Sequence, residues 1–138
     1  MAARIYLPEK VYVAPSPIHG YGCFAKSKIY EGEIIEECPV FDLNIYKNDT
    51  CWHILEDYRF LWPSGSAGSP LAQVMPAGYG AIYNHSNNPN ATWKSSTARN
   101  TFFFYALRDI DQEEEIFTYY GGSEYWGDGN RMKIEDLK

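Results

Sequence analysis

Asn84-His85-Ser86-Asn87-Asn88-Pro89-Asn90 and Glu114-Glu115-Ile116-Phe117-Thr118-Tyr119-Tyr120-Gly121 are the two stretches that decide how this chain reads. The first is a polar turn that ends a short apolar run, Gly78 to Tyr83. At this density Asn side chains can hydrogen-bond the nearby backbone and Pro presets φ, which together favour a tight turn. The second reads as a strand. Its side chains alternate faces, so Ile116, Thr118 and Tyr120 share one face and Phe117 and Tyr119 the other. Tyr120 stands at the strand end, just before Gly121-Gly122, where the backbone can turn sharply. A tyrosine there can present its hydroxyl into a cleft. Read singly, the first stretch is an ordinary loop with a structural His85, and the second ends in a core tyrosine with a satisfied hydroxyl.

The neighbouring sequence is punctuated like a β protein. Val11 to Val13 reads as a short strand stopped by Pro15 and Pro17. Ile18-His19-Gly20-Tyr21-Gly22 is a glycine-punctuated turn, after which Cys23-Phe24-Ala25 resumes an apolar stretch. Glu33 to Val40 is a second strand. Trp52, Leu55, Tyr58 and Leu61 recur at three-residue steps, as in one or two helical turns. Pro63 to Pro70 is a Ser/Gly-rich exposed loop. Thr92-Trp93 and Thr101 to Leu107 flank a polar tip and read as a hairpin. Arg108 to Glu114 is a charged turn. The expectation is a mainly β, single-domain chain over residues 1–138, with little helix and a polar tail at 127–138.

Bulk properties narrow the function classes. The 138 residues are 45% hydrophobic and 22% charged, as in a globular domain. The formal net charge of −6, with acidic patches expected at Glu36-Glu37 and Asp109 to Glu115, disfavours non-specific nucleic-acid binding and favours a cationic partner such as a Lys-rich peptide. The 12 tyrosines suit β strands and an amphipathic pocket. Cys23, Cys38 and Cys51 are widely spaced without a C-x-x-C pair, which argues against a zinc site or disulfide framework and for a reducing, intracellular compartment. The first residues lack the apolar core of a signal peptide. No run approaches the ~18 apolar residues of a membrane span.

Three constellations occur in order along the chain: Ser16-Pro17-Ile18-His19-Gly20-Tyr21-Gly22-Cys23-Phe24-Ala25, then Tyr83-Asn84-His85-Ser86 with Pro89-Asn90, then Glu114 to Gly121. In this order the chain resembles the SET-domain family of protein lysine methyltransferases over about residues 9–126. It is most similar to the minimal viral SET proteins of large algal viruses, in Leu55-Glu56-Asp57-Tyr58, Gly80-Ala81-Ile82 and Tyr125-Trp126. The resemblance implies several small curved sheets and a C-terminal segment threaded in a pseudoknot, a rare exception to unthreaded chains.

The resemblance also implies roles. Gly20, Tyr21 and Gly22 would contact S-adenosylmethionine or the lysine channel. Asn84 and His85 would hold the cofactor's amino-acid and adenine ends, and Trp126 would pack on the adenine or close the channel. Tyr120 matches the catalytic tyrosine. Tyr21, Tyr58, Thr118, Tyr120 and Tyr125 would line the lysine channel, and a small residue such as Thr118 leaves room for more than one methyl. No metal is implied. The product would be S-adenosylhomocysteine, the substrate a basic histone-tail-like segment, the compartment the nucleus if the substrate is histone, and a homodimer is plausible. The Cys-rich zinc segment that many members carry after the last motif has no counterpart here, and Tyr119 stands where the family often has Asp. Two other readings remain: a catalytically silent SET-like module that binds peptide or cofactor, and a Tyr-rich β domain that binds a carbohydrate or other small ligand.

Overall fold

The computed structural model of the chain describes residues 4–43, 60–62 and 72–119. These residues form nine strands: β1 (Val11–Pro15), β2 (Tyr21–Ala25), β3 (Ile34–Asp42), β4 (Phe60–Trp62), β5 (Ala72–Pro76), β6 (Asn84–His85), β7 (Ala91–Ser96), β8 (Thr101–Ala106) and β9 (Glu115–Thr118). There is no helix among the described residues, so the mainly β expectation holds. The strands make a four-stranded sheet, β1-β2-β9-β6, and a five-stranded sheet, β4-β5-β3-β8-β7. The chain divides into two compact units. One comprises Glu9–Ile35, Ile82–Thr92 and Tyr105–Lys138; the other comprises Met1–Pro8, Glu36–Ala81 and Trp93–Phe104.

The four-stranded sheet belongs to the first unit. Strands β1 and β2 form an antiparallel pair in which Pro15 faces Tyr21. The strand therefore runs through Pro15 instead of stopping before it. Pro15 is tolerated because it ends an edge strand, where its missing N–H leaves no ladder bond unmade. The turn between β1 and β2 is correspondingly tight, and Tyr21 and Gly22 already belong to β2. Strand β9 lies antiparallel to β2, with Cys23 opposite Ile116. Val11, Cys23, Ala25, Ile29, Tyr83, Ala91, Ala106, Ile110 and Ile116 form this unit's buried core. Ile29 and Ile110 exchange two backbone hydrogen bonds of 2.9 and 2.7 Å, which join the chain before β3 to the charged turn after β8.

The second unit is aromatic. Phe102 and Phe104 alternate with Phe103 along β8, and both are buried. Phe60 meets Trp93 edge-on at 4.9 Å and Phe102 at 5.4 Å, and Trp62 meets Phe102 at 5.3 Å. Such offset and edge-to-face pairs add about 0.5–1.5 kcal/mol each beyond the area they bury. Strand β4 pairs with β5, placing Leu61 opposite Gln73. Leu61 is thus a strand residue, not the end of a helical turn. Trp52, Leu55 and Tyr58 lie outside the described residues, as does the expected loop from 63 to 70. The β7–β8 hairpin appears as expected, with Asn100 at its tip in the left-handed region (φ 55°) that Asn tolerates. Strand β5, which carries no clear alternation, was not anticipated.

The expected acidic patches are partly interior. Glu36 and Glu115 are buried. Glu37 is 13% exposed and is held by the Arg99 guanidinium through two bonds of 2.6 and 2.8 Å, with Thr101 Oγ1 donating a third at 2.7 Å. Acidic side chains inside a fold must be hydrogen-bonded, and these three carboxylates all accept such bonds.

Candidate functional site

The two stretches that opened the sequence reading are neighbours. Strands β6 and β9 pair in parallel, with Asn84 opposite Phe117 and His85 opposite Thr118. The pairing continues past β6, where the Ser86 N–H donates to Thr118 O at 3.0 Å and the Asn90 N–H to Phe117 O at 3.2 Å. Asn90, 1% exposed, extends the ladder with its side chain. Its Nδ2 donates to Glu115 O at 2.9 Å and to Glu114 Oε2 at 3.2 Å, and its Oδ1 accepts the Phe117 N–H at 2.8 Å. One amide side chain thus serves two backbone groups of β9, as a short extra strand would.

The glycine turn docks on this pair through Asn84. The Asn84 Nδ2 donates to His19 O at 2.9 Å, Tyr21 O at 3.3 Å and Glu115 Oε2 at 2.9 Å. Ser16 closes the turn, with its backbone N–H donating to Gly20 O at 2.7 Å. The Ser16 hydroxyl donates to the Glu115 carboxylate, at 2.8 Å from one oxygen and 2.9 Å from the other, and accepts the Ile18 N–H at 3.0 Å. Gly20 sits at φ +50° with open space where a Cβ would stand. Gly22 meets the opposite constraint: a Cβ there would lie 2.3 Å from Glu115 Oε2 and 3.2 Å from Asn84 Nδ2. Only glycine lets β2 come this close to the buried carboxylate.

His85 is buried, and burial holds its imidazolium below the ordinary histidine pKa, partly opposed by the bond to Asn87. With Nε2–H donating to Asn87 Oδ1 at 3.1 Å, the ring is a neutral group near pH 7. The Tyr119 ring lies 5.1 Å from it, tilted by 44°. Thr118 is 2% exposed, whereas Tyr21 is 65% exposed at the start of β2. Buried Ile116 and Thr118 against more exposed Phe117 and Tyr119 reproduce the expected two faces of β9.

The fold therefore brings together Gly20, Tyr21, Gly22, Asn84, His85 and Thr118. Tyr58, Tyr120, Tyr125 and Trp126 lie outside the described residues, as does the C-terminal segment for which the resemblance implies threading. Sequence reasoning assigned no role to Ser16, Asn90 or Glu115. An acidic residue inside an apolar strand was the available signal for Glu115, since a buried carboxylate needs donors.

The SET-domain family model matches residues 20–121, which include Gly20, Tyr21, Gly22, Asn84, His85 and Thr118. The chain belongs to the SET-domain family. A Schizosaccharomyces pombe protein named histone-lysine N-methyltransferase, H3 lysine-37 specific, is 32% identical over 111 residues, which is 79% of this chain and 71% of that protein. A Plasmodium falciparum protein, described as a candidate histone methyltransferase, has a crystal structure similar to this SET domain. Its TM-score is 0.65 at 29% identity, covering 83% of this chain and 96% of that one. The Neurospora SET-domain protein DIM-5, a histone lysine methyltransferase, has a TM-score of 0.63 at 18% identity, covering 81% of this chain and 52% of that one. At that identity the likeness is one of fold.

Proposed function

We propose that this SET domain is an S-adenosylmethionine-dependent protein-lysine N-methyltransferase acting on a histone tail. The observation that carries the proposal is the parallel β6–β9 pair, with the glycine turn bonded to Asn84. It gathers Gly20, Tyr21, Gly22, Asn84 and His85, five of the six residues to which the resemblance attaches a cofactor role. Their chemistry fits the cofactor. Asn84 is 7% exposed and spends its Nδ2 on the turn, while its Oδ1 makes no hydrogen bond among the described residues. That leaves a buried acceptor for the ammonium of an amino-acid moiety. His85, neutral and in ring contact with Tyr119, suits a flat uncharged ring such as adenine.

The cofactor supplies an electrophilic methyl on its sulfonium and leaves as the thioether S-adenosylhomocysteine. The remaining work belongs to this chain. Lysine must attack as a free amine, and a channel of aromatic side chains desolvates the ammonium and lowers its pKa. Tyr21, Tyr58, Tyr120 and Tyr125 would form that channel with Thr118, and Trp126 would close it or cover the adenine. The Tyr120 hydroxyl would accept a hydrogen bond from the amine and align its lone pair. Such alignment accounts for part of the ~7–11 kcal/mol that ideal positioning supplies. The small Thr118 side chain leaves room for more than one methyl. The net charge of −6 favours a basic tail. Nuclear location, a homodimer, kinship with viral SET proteins and a single catalytic unit over residues 1–138 belong to the same reading.

The test is transfer of labelled methyl to core histones, with Tyr120→Phe alongside. The expected result is label on lysine, lost on substitution. Cofactor binding without transfer to any histone, protein or peptide would leave a silent SET-like module instead. Label that survives Tyr120→Phe would remove only the role given to that hydroxyl.

A further inference from the structure

We infer that Glu115 is a positioning residue that fixes which end of the Asn84 side-chain amide meets the cofactor, an inference that rests on the methyltransferase reading above. A carboxamide has two chemically opposite ends, an NH2 that donates and an oxygen that accepts. Three oxygens crowd one side of the Asn84 amide: His19 O, Tyr21 O and Glu115 Oε2. With the amide reversed, Oδ1 would face all three. Glu115 is the anionic one of them and is itself buried, where electrostatic preferences are strongest. It therefore sets the orientation in which Nδ2 serves the turn and Oδ1 is left as the acceptor.

The carboxylate is in turn held in place. Both of its oxygens lie within reach of the Ser16 hydroxyl, at 2.8 and 2.9 Å, and its backbone O accepts from Asn90 at 2.9 Å. Glu115 Oε2 occupies the space a side chain at residue 22 would need, since a Cβ there would come within 2.3 Å. Among the described residues no Lys, Arg or His pairs with it. Its charge is thus committed to ordering the turn and Asn84, not to neutralising a cation.

Glu115→Gln keeps the shape and removes the charge, and its own NH2 can meet a reversed Asn84 amide. Titration calorimetry with S-adenosylhomocysteine is expected to show affinity lower by about tenfold, the scale of one hydrogen bond to a charged group. The KM for S-adenosylmethionine should rise alike, with kcat at saturating cofactor within about twofold while the ligand-free protein still melts in one cooperative transition. Unchanged affinity in a folded Glu115→Gln would overturn the inference. If that variant does not fold, Ser16→Ala, which loosens the carboxylate, decides: a smaller loss of affinity in the same direction supports it, and none refutes it. Wild type that binds neither form of the cofactor would overturn the methyltransferase reading itself, and this inference with it.

Discussion

Replacing Asn90 by Ala tests whether one side chain ties the two halves of the site together. The substitution removes the acceptor for the Phe117 N–H and a donor to Glu115 O, at 2.8 and 2.9 Å, from a residue 1% exposed. Each buried backbone group left unpaired costs about 1–3 kcal/mol. Two such groups set a range of about 2–6 kcal/mol, and water entering the vacated polar space pulls the figure toward its lower half. We expect about 3 kcal/mol by urea denaturation, with an unchanged m-value. At about 3–5 °C per kcal/mol for a chain of this size, the melting temperature falls by ~10–15 °C. Asn88, exposed two residues earlier, is the control, and its change to Ala should cost under about 0.5 kcal/mol. An Asn90→Ala variant as stable as Asn88→Ala would refute the argument that the amide substitutes for a strand.

Gly22→Ala places a methyl 2.3 Å from Glu115 Oε2 and is expected to cost about 1–3 kcal/mol from overpacking. Gly20→Ala meets open space and should cost only the roughly 1 kcal/mol of left-handed backbone, an order that comparative thermal melts would check. Arg99→Ala removes two hydrogen bonds from a carboxylate that is 13% exposed and is expected to lower the urea midpoint; Arg99→Lys should recover part of the loss, because an ammonium cannot reproduce the forked contact. Acid should weaken the fold in two steps, seen by denaturation at a series of pH values. His85 titrates below its ordinary 6.5 because burial disfavours its charged form. The unfolded chain therefore binds that proton first, and stability falls as pH drops below 6.5 until the folded His85 titrates too. Glu37 lies below its ordinary 4.5, chiefly through its bond to Arg99, so its contribution is complete above 4.5 and disappears as pH falls through the folded value. A His85→Asn variant should lose the first slope and keep the second.

How much of this was legible in the sequence depends on the range of the interaction. The faces of β9 follow from the period-two geometry of a strand, which sets Ile116 and Thr118 opposite Phe117 although polarity along Glu115–Thr118 does not itself alternate, and the β7–β8 hairpin follows from two strand-like runs around a polar tip. Both signals are local. The pairing of Asn84–His85 with β9 leaves no such trace: a two-residue strand is too short to show periodicity, and parallel partners are distant in sequence. Leu61 shows the reverse error, because residues at three-residue steps matched a helix while Phe60–Trp62 found its partner in β5. The acidic residues misled in a third way. Counted as surface charge, Glu36, Glu37 and Glu115 turn out to face donors inside the fold, which composition cannot reveal.

The same short strand explains why the site relies on polar side chains. Two residues offer too few backbone bonds to resist slipping, and a slip of one residue would put His85 in the place of Asn84 and reverse every side chain of β6. Apolar patterning has no hold on this strand, since both of its residues are polar. Directional bonds can. Asn84 is bonded to the turn on one side of the strand and Asn90 to β9 just beyond it, so a slipped register would cost the buried Glu115 carboxylate its Asn84 donor, leaving it only the Ser16 hydroxyl, and would leave the Phe117 N–H without its Asn90 acceptor. The unpaired N–H alone would incur a desolvation cost of about 1–3 kcal/mol. Asn84, Asn90 and Glu115 thereby set the register of the site, and the glycine turn follows because its carbonyls are bonded to the same Asn84.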